Sequence, residues 1–489
     1  MLKIPVFPVL AKGVCDATPA PELPGWHLYL NGRPCPIRYC RESAVPFNRV
    51  WPGKQRSRSQ TELAGFANFS ADEPLTVELE TEIPLEHTVI RPLSAGISPK
   101  ITGENRISFE IVKPGQYVIE AGTMHKTVYL FWDPVGETPE KREIQRYFGP
   151  GIHVPGLIRL RSGDSVYIDP AAVVYGNLYG ENVHDVRIFG GGVIHGGAEE
   201  RVLASGKENY TKSAIKFYHS SGIRIDGVII QDAACWTASF FDCSDIRINN
   251  VKIIGQWRYN TDGIDFVNTD NVGVTNSFVR SFDDGLVLKG ADDHDFKTVS
   301  WTKGHSVRNI EVRHCIFWCG WGRTLEVGIE TAAPEFSDIL FEDCDLIHNS
   351  AVCMDLQNGN YADMHDIVFR DIRVEYQAET LPEIYQEREE MVYDPQGKMG
   401  VPILFLADNH RYQPDKVFGS VHDVLLEHIA VFAEPGVPEK LPFRIANLSP
   451  ESRFANFTVR DLTINGRRVF GPDDVEYLIS GHVENVRWE

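Results

Sequence analysis

The chain of 489 residues has no apolar run approaching the roughly 20 residues that a membrane-spanning helix takes. Its opening stretch, MLKIPVFPVLAKG, is interrupted by Pro5 and Pro8, so it reads neither as a secretory leader nor as an anchor. The expectation is a cytoplasmic protein. Positive charge is scarce: 48 Lys and Arg stand against 68 Asp and Glu, for a net charge of −20. Such a surface repels nucleic acid and anionic membrane, which excludes both as partners. The nine cysteines show no CxxC and no Cys/His metal spacing, so they are read as buried, reduced small hydrophobes. No metal and no cofactor are expected.

What is present is β-structure. Residues 1–132 alternate apolar and polar in LTVELETEI (75–83), ISFEIVKPGQYVIEAG (107–122) and TVYLFWD (127–133), the pattern of half-buried antiparallel strands in an N-terminal β-sandwich-like domain. Pro114 and Gly115 mark a turn. Residues 133–147, polar and proline-punctuated, read as a linker.

From 148 to 489 short apolar strands recur between Asn, Asp and Gly residues. Their first strand residues are Val186, Ile223, Ile246, Val272, Ile310, Ile339, Ile367, Val424 and Phe457. The steps between them run from 23 to 57 residues. A short minimal step with occasional insertions is the signature of a β-solenoid, in which each rung buries its apolar set against its neighbours. Asn and Asp suit the corners because they tolerate tight turns. The largest step contains the charged stretch 377–400, expected to be a partly helical excursion.

The strongest chemical constellation is NTDGIDF (260–266) followed by SFDDGLVLKG (281–290). Asp262 and Asp283 are 21 residues apart, close to one rung, so stacking brings them to one face. Asp284 joins them only if the strand is locally irregular, because adjacent strand side chains point to opposite sides. Three clustered carboxyls repel, which keeps at least one protonated and sets an acid beside a base. Glycosidic cleavage needs that pair. Lys289 can orient an aspartate or a substrate hydroxyl, and Trp257 and Trp321 can stack on sugar faces. The basic run GKQRSRSQ (53–60) can reach over a cleft.

NTDGID, DDGLVLK and the preceding VYGNLYGENVHDVRIFGGGVIHG (174–196) resemble glycoside hydrolase family 28, the polygalacturonases. The layout of a β-sandwich followed by a β-helix also resembles family 49, the dextranases. The resemblance implies an all-β chain with a right-handed parallel β-helix behind the sandwich, and hydrolysis of a poly- or oligosaccharide with inversion. It makes Asp283 the general acid, and Asp262 with Asp284 the base pair.

The sequence departs from family 28 in two places. Either His305 in KGHSV or Arg323 in WCGWGRTLEVG takes the place of the family's Gly-His-Gly histidine, and Arg323 has the better context. The Arg-Ile-Lys tripeptide that grips a galacturonate carboxylate is missing. Glu326, Glu330, Asp355 and Gln357 stand in the neighbouring rungs instead, next to Met354. Carboxylates and an amide hydrogen-bond neutral hydroxyls and repel a uronate. A neutral glycan is therefore the expected substrate, with galacturonan hydrolysis, polysaccharide lyase action and non-catalytic glycan binding as the competing readings. Self-association is left open.

Overall fold

The structure is a computed structural model. It describes residues 1–6, 25–43, 61–199, 213–291, 305–378, 401–409 and 417–489, and the backbone at 383–384 and 394–398. The basic run 53–60 and Cys15 lie outside the described residues.

Two five-stranded sheets form the N-terminal sandwich. One holds Arg33–Cys35, Trp26–Leu30, Leu75–Thr81, Arg106–Ile111 and Lys100–Gly103 in that order. The other holds Arg38–Ser43, Thr61–Ser70, Thr127–Asp133, Gly115–Ala121 and Thr88–Arg91. The turn at Pro114 and Gly115 thus joins strands of opposite sheets.

From Arg146 onward the chain winds as a parallel β-helix. Val186, Ile223, Ile246, Val272, Ile310, Ile339, Ile367, Val424 and Phe457 lie in one unbroken register across a twelve-stranded sheet. The corner before each of these strands needs a left-handed residue. Asp185, Asp245, Asn271, Asn309, Asp338, Asp366, Asp423 and Asn456 fill it, with φ between 52 and 61°. Gly222 fills the one remaining rung at φ 66°, where a Cβ would meet Asp185 Oδ1 at 2.9 Å. Short polar side chains and glycine are the residues that adopt this conformation at little cost.

The face that carries the site is a parallel stack of Ile215–Tyr218, Ala238–Phe241, Ile264–Val267, Leu286–Gly290, Arg323–Thr331 and Val352–Gln357. Period-two alternation sends Phe217, Phe240, Phe266, Leu288 and Val327 into the core. Phe240 stacks between Phe217, 5.8 Å away, and Phe266, 5.2 Å away. Phe240→Ala is expected to cost about 3–5 kcal/mol, read as a lowered urea midpoint, because rungs above and below hold the cavity open.

The sandwich docks on a second face of the helix. Phe66, Val118, Tyr129 and Phe131 pack against Ile229, Ile254, Phe278 and Trp318. The strand 127–133 was expected to be half-buried from its alternation, but Thr127–Trp132 is buried throughout, because its outer face meets the β-helix. Of the excursion at 377–400, the described backbone beyond Ala378 is a strand pair, Glu383–Ile384 with Asp394–Lys398, and the rest of the stretch expected to be partly helical lies outside the described residues.

Candidate functional site

Two loops and one Gly-rich turn build the site. The first loop, 255–262, is held by side chains at several points. Trp257 Nε1 donates to Asp232 Oδ1 at 2.8 Å, Arg258 Nη1 to the Glu199 carbonyl at 2.8 Å, and Thr261 Oγ1 to the Arg258 carbonyl at 2.7 Å. The second loop bends at Phe282 and Asp283. Ser281 Oγ donates to the Asp283 carbonyl at 2.6 Å, and the Asp284 N–H turns back to Asp283 Oδ1 at 3.1 Å. This bend is the irregularity that neighbouring aspartates need to face one cleft.

The register differs slightly from the spacing argument. Ile264 pairs with Leu286, and the Gly263 N–H donates to the Asp284 carbonyl at 2.8 Å, so Asp262 is level with Asp284 and not with Asp283. The Gly285 N–H donates to the Arg323 carbonyl at 2.7 Å, which sets Arg323 level with Asp284 on the next rung. Asp262, Asp284 and Arg323 therefore form one stacked line, with Asp283 displaced by the bend.

The electrostatics separate the two adjacent aspartates. Burial, and then the Asp284 carboxylate, push the Asp283 carboxyl up to about 7. Asn260 Nδ2 lies 3.3 Å from Asp283 Oδ2. Burial would raise Asp284 as well, but Lys289 and Arg323 hold it below the ordinary carboxylate range. Lys289 Nζ is 3.6 Å from Asp284 Oδ2, the Arg323 N–H donates to Asp284 Oδ1 at 3.0 Å, and Arg323 Nη1 is 3.8 Å away. Asp262 is pushed well up by burial, then by Asp265, Asp283 and Asp284. The set can thus hold a proton on Asp283 and a charge on Asp284 at the same pH.

The remaining expected site residues divide. Arg323 Nε lies 3.5 Å from Asp355 Oδ2 and 3.9 Å from Glu326 Oε1, and its Nη2 donates to Gln357 Oε1 at 3.2 Å. Lys289 also reaches Glu330 Oε2 at 3.2 Å and sits 5.1 Å from the Trp236 ring centre. These residues converge. Trp321 is partly exposed against Tyr259 and Phe282, with ring centres 5.5 and 5.7 Å away. Trp257 does not join the cleft as a stacking platform, since it is 4% exposed and its N–H is engaged by Asp232. His305 pairs with Asp242 at 2.5 Å, at the opposite end of the strand stack from the aspartates. Met354 points into the core. Of the two competitors for the histidine's place, Arg323 is the one beside the aspartates.

Residues 172–375 match the model of glycosyl hydrolases family 28. The likeness to family 28 holds over that segment. The probable exopolygalacturonase B of Neosartorya fischeri is 28% identical over 134 residues, 24% of this chain and 30% of that protein. The protein of the same name from Aspergillus terreus is 24% identical over 213 residues, 39% of this chain and 45% of that protein. The chain spans under half the length of these curated relatives. Among solved structures, Dex49A from Penicillium minioluteum, of family 49, superposes with a TM-score of 0.65 at 11% identity, over 99% of this chain and 96% of that one. The hyperthermoactive exopolygalacturonase from Thermotoga maritima gives 0.52 at 15% identity, over 70% and 82%. Both show the β-helix fold. The family 28 segment contains the two aspartate loops, the Arg323 turn and Asp355.

Sequence reasoning left Asp265 without a role, though it stands in NTDGID. It is wholly buried beside Asp262, in register with Val287 and, two rungs on, Glu326. The alternation of Ile264–Val267 was the available signal, since inward Ile264 and Phe266 place Asp265 outward.

Proposed function

We propose that the chain is an inverting glycoside hydrolase in which Asp283 protonates the leaving oxygen and Asp284 takes the proton from water, while Asp262, held toward its neutral form, orients that water beside it. The observation that carries this reading is that one bend holds Asp283 and Asp284 together while Lys289 at 3.6 Å and Arg323 at 3.8 Å lie on Asp284. Burial thus raises the first carboxyl, and the cations hold the second low. Near neutrality this gives an acid and a base in one cleft, which single-displacement cleavage of a glycoside requires. The likeness to family 28 supports the same reaction class.

The surroundings of Arg323 favour a neutral sugar at this end of the cleft. Its guanidinium already faces Asp284, Glu326 and Asp355, and Gln357 accepts from it. Asp355 and Glu326 are wholly buried, so they serve to face the Arg323 guanidinium and are not themselves open to a sugar. A uronate placed there would meet a guanidinium already shared with the Asp284 carboxylate, which leaves part of its desolvation, a cost of several kcal/mol, uncompensated. A second reading, hydrolysis of galacturonan, is favoured by the names of the curated relatives.

One experiment separates these. The purified protein is incubated with neutral glycans and with galacturonan oligomers, and the first-formed anomer is read by proton NMR. Inverted product and faster turnover of a neutral glycan are expected. Faster turnover of galacturonan would establish the second reading, and a retained anomer would remove the inverting mechanism. An unsaturated product absorbing in the ultraviolet would make the chain a lyase. Binding without turnover would make it a glycan-binding solenoid.

A further inference from the structure

Glu42 belongs to the sandwich strand Arg38–Ser43, yet its carboxylate lies inside the β-helix interface and is 0% exposed. Its Oε1 accepts the Gly255 N–H at 2.8 Å, and its Oε2 accepts the Gln256 N–H at 3.1 Å. These two amides open the loop that ends at Asp262. The same carboxylate lies 3.5 Å from Arg280 Nε, three residues before Asp283. Tyr129 Oη and Cys40 Sγ complete its shell at 3.1 and 3.3 Å. Arg280 in turn lies 3.8 Å from the Trp318 ring centre and donates to Tyr129 Oη.

A buried carboxylate is costly, and an apolar side chain of similar volume often stabilises a fold as well. What an apolar residue could not do is accept two backbone amides of one aspartate segment while ion-pairing with the other. We infer that Glu42 is a positioning residue, through which the docked sandwich sets the spacing between the Asp262 and Asp283 segments. This rests on the glycosidase reading of those aspartates. Misplacement of a reacting group by about 1 Å can cost about a hundredfold in rate, so such a brace has a kinetic consequence.

The same interface contains a comparison. Arg91 bonds Glu120 and Glu375, and Glu375 accepts the Leu93 N–H at 2.6 Å. That cluster is as deeply buried, but its partners include no residue of either aspartate loop.

The test uses the full chain. Glu42→Gln keeps the side-chain length, removes the charge that Arg280 meets and turns an amide donor toward a backbone N–H. Its kcat is expected to fall roughly tenfold to a hundredfold, with KM within about twofold of wild type. Added to Asp283→Asn, it should cost less than about twofold more, because the acid it positions is already gone. Glu375→Gln should keep kcat within about twofold of wild type even where stability falls. An unchanged kcat in Glu42→Gln, a full multiplicative loss in the double variant, or an equal fall in Glu375→Gln would each overturn the inference. If Glu42→Gln does not fold, Arg280→Lys takes its place, with the same pattern expected. If wild type turns over no glycan, the activity reading fails by itself. The brace is then judged on the carbon-13 NMR titration of Asp283, where a shifted midpoint in Glu42→Gln supports it and an unchanged one overturns it.

Discussion

Asp283→Asn is expected to lower kcat by at least about a hundredfold, the scale of a lost general acid, with substrate binding changed far less. The accompanying pH profile is the sharper reading. Asp283 acts while it holds its proton, and its carboxyl is raised to about 7, so wild-type kcat/KM should fall as the pH climbs through that value. Asp284 acts while ionised and is held below the ordinary carboxylate range, so activity should fall on the acid side only as the pH drops below that range. The two midpoints belong to the coupled set of carboxyls and not to single residues. In Asp283→Asn the alkaline limb should disappear and the acid limb remain. Asn260 is close enough to Asp283 that the new amide can keep a hydrogen bond there, so loss of fold does not confound the result. Near-full activity in Asp283→Asn, with Asp262→Asn inactive, would reverse the roles.

The repeat was legible because each rung obeys the same two local demands. Apolar residues must alternate into the core, and a left-handed corner must precede each strand. Both leave marks within a few residues, so Val186 through Phe457 share one recognisable frame and lie in register. The aspartate cluster was legible for the same reason, since one rung separates its two loops. The one-residue offset between Asp262 and Asp283 was not, because it arises from the bend at Phe282 and Asp283. Trp257 and His305 failed as cleft residues on contacts to Asp232 and Asp242, which no spacing rule reports. The docking of the sandwich was the least visible feature. Glu42 meets Gly255 across 213 residues, and a contact made once at that separation leaves no periodic trace. The strand 127–133 carried the same information in weaker form. Its run of Tyr129, Leu130, Phe131 and Trp132 is too apolar for a strand with one wet face.

Gly322→Ala is expected to be nearly as damaging as loss of a catalytic aspartate, although glycine has no side chain to contribute. Gly322 sits in the turn between the Trp318 rung and Arg323, directly over the aspartate bend. A Cβ there would overlap Asp284 Oδ1, lie 2.6 Å from the Asp284 nitrogen and lie 2.8 Å from Asp283 Oδ1. Backbone cannot yield to such contacts as a flexible side chain can, so the turn or the aspartate bend must move. Moving the turn stretches the Arg323 N–H bond to Asp284, 3.0 Å in the native chain, and withdraws one of the groups that keep Asp284 ionised. Moving the bend displaces Asp283 itself. Either way the acid and base lose their spacing, and kcat should fall by about a hundredfold or more. The overpacking should cost about 1–3 kcal/mol of stability, read as a lowered urea midpoint. In addition the acid limb of the pH profile should move upward, because Asp284 loses a donor that favours its charge. Gly136→Ala is the matched control, since a Cβ at Gly136 meets nothing within 4 Å, and it should leave both rate and midpoint unchanged. Wild-type kcat in Gly322→Ala would mean that the aspartates tolerate a loose turn, and the close packing of Gly322 against them would have no part in the chemistry.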